Sequence, residues 1–240
     1  MNNSFTYLLV NLGTLLFPLL FSFEKKISYF SYWKFLFPSF LITSLLFLTW
    51  DYYFTLHGIW GFNAEYVRGI YLGNLPLEEI MFFFVIPFSS IFIYMFLNRF
   101  WPGAGLFDKY NRHISTAILA IAFCAAFFNW GKAYTMLNCF YIICLLGLQL
   151  FIIRGKYMGR FFRFYIIHLI PFFIVNSILT GSGLSQPVVW YNNNENMGVR
   201  LGTIPIEDML YSMSLMLMNI SLFEYFKEQA FVKKIQTQLK

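Results

Sequence analysis

The sequence predicts an all-α integral membrane protein of seven transmembrane helices, built as two parallel three-helix repeats plus a connecting helix. Three observations carry this reading. Of 240 residues, 59% are hydrophobic, 22% aromatic and only 12% charged, about half the charge content of an average soluble chain. Seven apolar runs are each long enough to cross a hydrocarbon core of about 30 Å as a helix. The phrase "GIYLGNLPLEE" at 69–79 returns 129 positions later as "GVRLGTIPIED" at 198–208, each time ending in two carboxylates at the mouth of a hydrophobic run.

The first run, 5–23, has neither a basic leading region nor a small-residue cleavage site, so it is expected to be a retained span rather than a signal peptide. The others fall at 35–54, 76–98, 114–130, 133–153, 161–180 and 204–226. Cys124, Cys139 and Cys144 lie inside spans and read as small apolar residues; no disulfide framework and no metal site is expected. With seven spans, fourteen of the seventeen Lys and Arg residues collect on one face, and only Arg68, Lys132 and Arg200 on the other. That bias puts the N-terminus outside and the C-terminus in the cytoplasm. The net charge of +6 is thereby explained by topology and anionic lipid, with no nucleic-acid partner.

The duplication extends beyond the quoted phrase. "DYYFTLHG" at 51–58 aligns with "NSILTGSG" at 176–183, and Phe62-Asn63 with Tyr191-Asn192. Adding a preceding span to each copy gives a first repeat over 1–98, a connector with the fourth helix over 99–131, and a second repeat over 132–240. The third and seventh spans are four crossings apart and run in the same direction. Both acid pairs therefore sit on one side of the membrane, where they can share a pocket.

Pro76 and Pro205 mark helix starts. Glu78 and Glu207 then fall in the first turn, where an acid satisfies free backbone N–H groups and gains about 0.3–1 kcal/mol from the positive helix end. Capping accounts for one acid per helix. Glu79 and Asp208 point about 100° further round, and each would cost roughly 2.5–3.5 kcal/mol deep in lipid. Two readings stand: near the interface all four acids are structural, or they converge in a functional pocket. A converged set would keep one proton bound while another group stays ionised, which suits general acid–base chemistry on a carbon–carbon double bond.

Aromatic side chains flank the acids: Trp60, Phe62, Tyr71, Trp190 and Tyr191 in the loops, Phe82 and Phe83 after Glu79, and Tyr211 after Asp208. Such faces hold cations at about 0.5–2 kcal/mol each, although rings also gather at membrane interfaces for ordinary reasons. Asp51 and Asn176 end the second and sixth spans as a buried supporting pair or as interfacial caps. Arg68 and Arg200 are the main cations near the acids, as partners or solvated charges, and His168 is a proton relay or an interhelical hydrogen-bonding group.

Paired Pro-x-Glu-Glu and Pro-x-Glu-Asp signatures opening the third span of a duplicated three-helix unit resemble the membrane lycopene cyclases, in the form where two small subunits are fused as repeats. The likeness covers essentially the whole chain, with its specific part at 51–80 and 176–209. The resemblance implies a non-redox, cofactor-free cyclisation of the ψ-ends of lycopene to β-rings, giving β-carotene through γ-carotene. It implies a lipophilic substrate, a place in the cell membrane, and room for association with other carotenoid-pathway enzymes. The catalytic positions it marks are Glu78, Glu79, Glu207 and Asp208, with Glu78 or Glu79 favoured as acid, and Asp in place of Glu suggests unequal halves.

Competing classes fit less well. "GSG" at 181–183 lacks the strand and third glycine of a dinucleotide fingerprint. A Glu-Glu intramembrane protease calls for an Arg soon after the pair, where this chain has "IMFFFV", and a retinal protein calls for a Lys within 209–226, where there is none. A small transporter shares repeats and intramembrane acids, though transporter acids favour mid-span positions. That transporter is the best alternative from another class, and a cyclase acting on a different carotenoid is the other alternative.

Overall fold

A computed structural model describes residues 3–238; Lys240, counted above among the cytoplasmic cations, lies outside them. The chain forms α1 (Thr6–Phe21), α2 (Trp33–Leu56), α3 (Leu77–Phe100), α4 (Leu106–Phe128), α5 (Ala133–Phe151), α6 (Met158–Leu179) and α7 (Glu207–Gln238). Among the described residues, the helical segments containing α1 to α6 are long and apolar enough to cross a membrane. Helix α7 falls short on composition because Ser212, Ser214, Asn219 and Glu224 dilute it. All four are buried. A helix surrounded by other helices does not have to be apolar toward lipid.

Helix α1 packs along α3, and α5 along α7, while α2 lies against both α3 and α7. Helices α3 and α6 meet on the other side, and α4 covers α5 and α6. The large core runs through this assembly, with Phe47, Trp50, Phe83, Phe164, Leu217 and Phe223 among its buried members.

Two boundaries move from the sequence expectation. Helix α4 begins eight residues before the apolar run, since Asp108 Oδ2 accepts the Ala104 N–H at 2.7 Å and Lys109, Asn111 and Arg112 simply project from helical turns. Helix α7 continues twelve residues past 226, carrying Lys227, Lys233 and Lys234. Polarity alone does not end a helix.

The all-helical expectation also omitted three small sheets. β1 (Trp60–Phe62) pairs antiparallel with β4 (Val189–Tyr191), with Trp60 opposite Tyr191, so the two long loops are tied together. β2 (Tyr71–Leu72) and β3 (Leu75–Pro76) form a hairpin, and β5 (Arg200–Leu201) and β6 (Ile204–Pro205) form its counterpart. Their turns place Gly73 and Gly202 at φ +65° each, a conformation natural to glycine.

The α4–α6 contact is close enough to test. A Cβ on Gly159 would lie 2.8 Å from the Asp108 Cα. Gly159→Val should therefore destabilise the protein by about 1–3 kcal/mol, read as a lower thermal midpoint in detergent.

Candidate active site

Each acid pair is presented by the same local device. A hairpin leads into the helix, and the carbonyl of Ile70 accepts the Leu77 N–H at 2.8 Å, as Val199 accepts that of Ile206 at 3.0 Å. Pro76, extended at φ −67° and ψ 150°, is the last residue before α3.

The first acid of each pair secures this hairpin. Glu78 Oε1 accepts the Arg68 backbone N–H at 2.7 Å, and Glu207 Oε1 accepts that of Met197 at 2.6 Å and the Thr135 hydroxyl at 2.7 Å. Asn11 donates to the Glu78 carbonyl at 2.9 Å. Both side chains are buried, yet neither lines the central cavity.

The second acid of each pair does line it. Glu79 and Asp208 border a cavity of about 100 Å³ enclosed by α1, α3, α5, α6, α7 and the two loops. Tyr7 donates to Glu79 Oε2 at 2.5 Å, and the Asp51 carboxyl lies beside Glu79. Asp208 accepts three hydrogen bonds: Tyr134 on Oδ1 at 2.5 Å, and Tyr191 at 2.9 Å and Asn176 at 3.0 Å on Oδ2. Tyr211 donates to Asp51 at 3.3 Å. Thus Asp51 and Asn176 each support the second acid of their own half. A buried carboxyl is tolerable when its oxygens find donors.

The wall is aromatic. Trp60 sits 5.4 Å from Tyr134, 5.9 Å from Tyr191 and 5.8 Å from Tyr211, centroid to centroid. Tyr191 lies on the β4 loop, outside the spans; burial, then the charge of Asp208, pushes its phenol well above the usual value, so it remains a donor.

Of the rings expected around a substrate, Trp60, Phe62, Phe82, Tyr191 and Tyr211 line the cavity, and Tyr71, Phe83 and Trp190 do not. Tyr71 is exposed on the hairpin, Phe83 faces α2 beside Phe47, and Trp190 lies on the far side of the loops against Gly61. The period-two strands turn Trp190 away from Tyr191. Arg68 stacks on Phe5 at 4.0 Å; Arg200 bonds the Thr203 carbonyl and Asn193 and stacks on Tyr191 at 5.7 Å. Neither guanidinium makes an ion pair with the four acids among the described residues. His168 joins helices, bonding Ser90 on α3 at 3.2 Å and Ser212 on α7 at 2.9 Å, and it also borders the cavity.

Tyr7, Tyr134, Asn11 and Thr135 escaped the sequence reading. A signal was present, since "YLLVN" at 7–11 and "YTMLN" at 134–138 share Tyr-x-x-x-Asn.

This is a helical membrane-type bundle whose duplicated acids close on one aromatic chamber. The lycopene cyclase family model matches residues 4–97 and 131–226, and the chain belongs to that family. A bifunctional lycopene cyclase/phytoene synthase of Pyrenophora tritici-repentis is 33% identical over 52 residues, 22% of this chain and 9% of that protein. The chain thus spans well under two-thirds of that relative's length. No solved structure matches it.

The division of labour within each pair is measurable. Glu78→Ala removes the acceptor of the part-buried Arg68 N–H hydrogen bond and should cost about 0.5–1.5 kcal/mol of stability. Glu79→Gln, which preserves shape, should leave the detergent melting midpoint near that of the wild type.

Proposed function

We propose that the protein is a lycopene β-cyclase that works by acid–base catalysis without redox change, converting ψ-ends to β-rings through γ-carotene to β-carotene. What carries the reading is that Glu79 and Asp208, contributed by the two matched segments, border one small apolar cavity walled by aromatic rings. The chain is read as seven crossings with the C-terminus cytoplasmic, supported by the fourteen-to-three distribution of cations. Residues 1–98 and 132–240 are the two repeats, 99–131 the connector, and the two matched segments support that division.

The hydrogen bonds support unlike roles for the two acids. Glu79 adjoins a second carboxyl, Asp51, and such a pair holds a proton between them. Asp208 is surrounded by three donors, which suits an ionised acceptor. In the reaction, Glu79 gives its proton to C2 of the terminal double bond, leaving a cation at C1. The C5–C6 π electrons form the C1–C6 bond, and the charge moves to C5. Asp208 removes the C6 proton, whose bonding pair becomes the ring double bond. Protons balance once Asp208 returns its proton to the Glu79 side. Trp60, Tyr134, Tyr191 and Tyr211 present a polarisable wall to the cation, at about 0.5–2 kcal/mol for each well-placed face.

Expression in cells that accumulate lycopene tests this. Wild type should yield β-carotene, while Glu79→Gln and Asp208→Asn, at equal protein level, should lower conversion by about 10²–10⁴-fold. Growth in D₂O should place deuterium at C2 of each new ring. Lycopene left untouched by well-inserted wild type would overturn the proposal.

A further inference from the structure

The chamber is too small for the molecule it is proposed to act on. A cavity of about 150 Å³ takes a benzene-sized guest, and the chamber, at about 100 Å³, is smaller than that, so no more than the tip of a chain fits as it stands. A second cavity of about 920 Å³ lies between α1, α3 and α6, with apolar walls such as Leu9, Phe17, Phe92 and Ile178. The two cavities share Thr14, Ser89, Ile93, Pro171 and Val175. They are consecutive spaces separated by a narrow seam.

The other half of the molecule carries the matching seam in a different state. Tyr7 and Tyr134, 127 positions apart, hold equivalent acids, which pairs Thr14 with Tyr141. Asp51 and Asn176 are likewise 125 apart, which pairs Trp50 with Val175. Trp50 and Tyr141 stack at 4.8 Å with their planes 17° apart, and Phe47 packs on Tyr141 at 5.6 Å. Two large rings therefore fill the α2–α5 seam, and a threonine and a valine stand at the corresponding α1–α6 seam.

We propose that the Thr14–Val175 seam is the portal through which one end of a long apolar polyene enters the acid chamber. The groove between α1, α3 and α6 holds the remainder of the chain. The Trp50–Tyr141 stack shuts the equivalent route, so the chamber has one entrance and accepts one end per loading. This rests on the functional reading above, because it presumes a linear substrate longer than the chamber.

The decisive variant rebuilds the closed seam at the open one. In lycopene-accumulating cells, Thr14→Tyr combined with Val175→Trp should lower cyclised product roughly tenfold or more, with protein level and melting midpoint matching the wild type. Unchanged conversion by this double variant overturns the portal. Should it fail to fold, or should wild type convert no lycopene and so defeat the functional reading instead, thiol access decides the portal alone. Val175→Cys should react with a membrane-dissolved pyrene maleimide well above the wild-type background, which comes from the exposed Cys124 and Cys144, and added lycopene should slow that reaction. If the thiol introduced by Val175→Cys is as unreactive as that of the buried Cys139, the portal is overturned whatever the substrate; where wild type does convert lycopene, failure of lycopene to protect the thiol overturns it as well.

Discussion

A carboxylate inside an apolar helix bundle must find donors for its oxygens, because desolvation otherwise costs several kcal/mol. The four signature acids answer this demand in two ways, with Glu78 Oε2 and Glu207 Oε2 left without a donor. Glu78 and Glu207 bond the backbone just ahead of the hairpins that precede their helices, at Arg68 and Met197, which fixes where α3 and α7 start and how they are rotated. The next residue on a helix points about 100° away. Once the first acid is tied, Glu79 and Asp208 are turned toward the shared interior. The paired strands β1 and β4 then hold the two loops together over that interior.

The same rotation determines what surrounds the acids. From Glu79 the cavity side of α3 continues through Phe82, Ile86, Ser89, Ser90 and Ile93, and from Asp208 that of α7 through Tyr211, Ser212 and Leu215. These are the three-and-four spacings of a single helical face. Serines at such positions bond neighbouring helices or His168, so these hydroxyls are partnered within a mostly apolar lining.

Much of this was legible in the sequence, for reasons that particular residues make plain. The apolar runs located the helices, since crossing a bilayer demands both length and composition. The repeated proline and acid pattern located both helix starts, though not the hairpins that lead into them. The separate tasks of Glu78 and Glu79 were not legible, because adjacent carboxylates differ only in direction, and direction depends on which backbone N–H the first one meets. Tyr7 and Tyr134 were hidden for a related reason: a tyrosine near a helix end resembles any interfacial aromatic until its hydroxyl is seen to reach an acid. Phe83 misled in the opposite sense, since a ring four residues after Glu79 can still turn toward α2. The length of α4 and α7 escaped because hydropathy marks the membrane and not the helix.

A duplication begins with two equal halves, and proton transfer in one direction requires unequal ones. On the proposed reading, two chemically identical acids facing one another would compete for one proton with no preference for donor or acceptor. The divergence between the halves removes that degeneracy at few positions. Where one half places a carboxyl, Asp51, beside its chamber acid, the other places an amide, Asn176, whose N–H₂ donates. This change falls near the ends of α2 and α6, so the packing of the bundle is left intact while the hydrogen-bond inventory changes. The shared backbone keeps the acids opposed, and the substituted side chains give them different hydrogen-bond partners. Tyr191 reinforces the difference, because its hydroxyl is given to Asp208 and its counterpart Phe62 has none to give to Glu79.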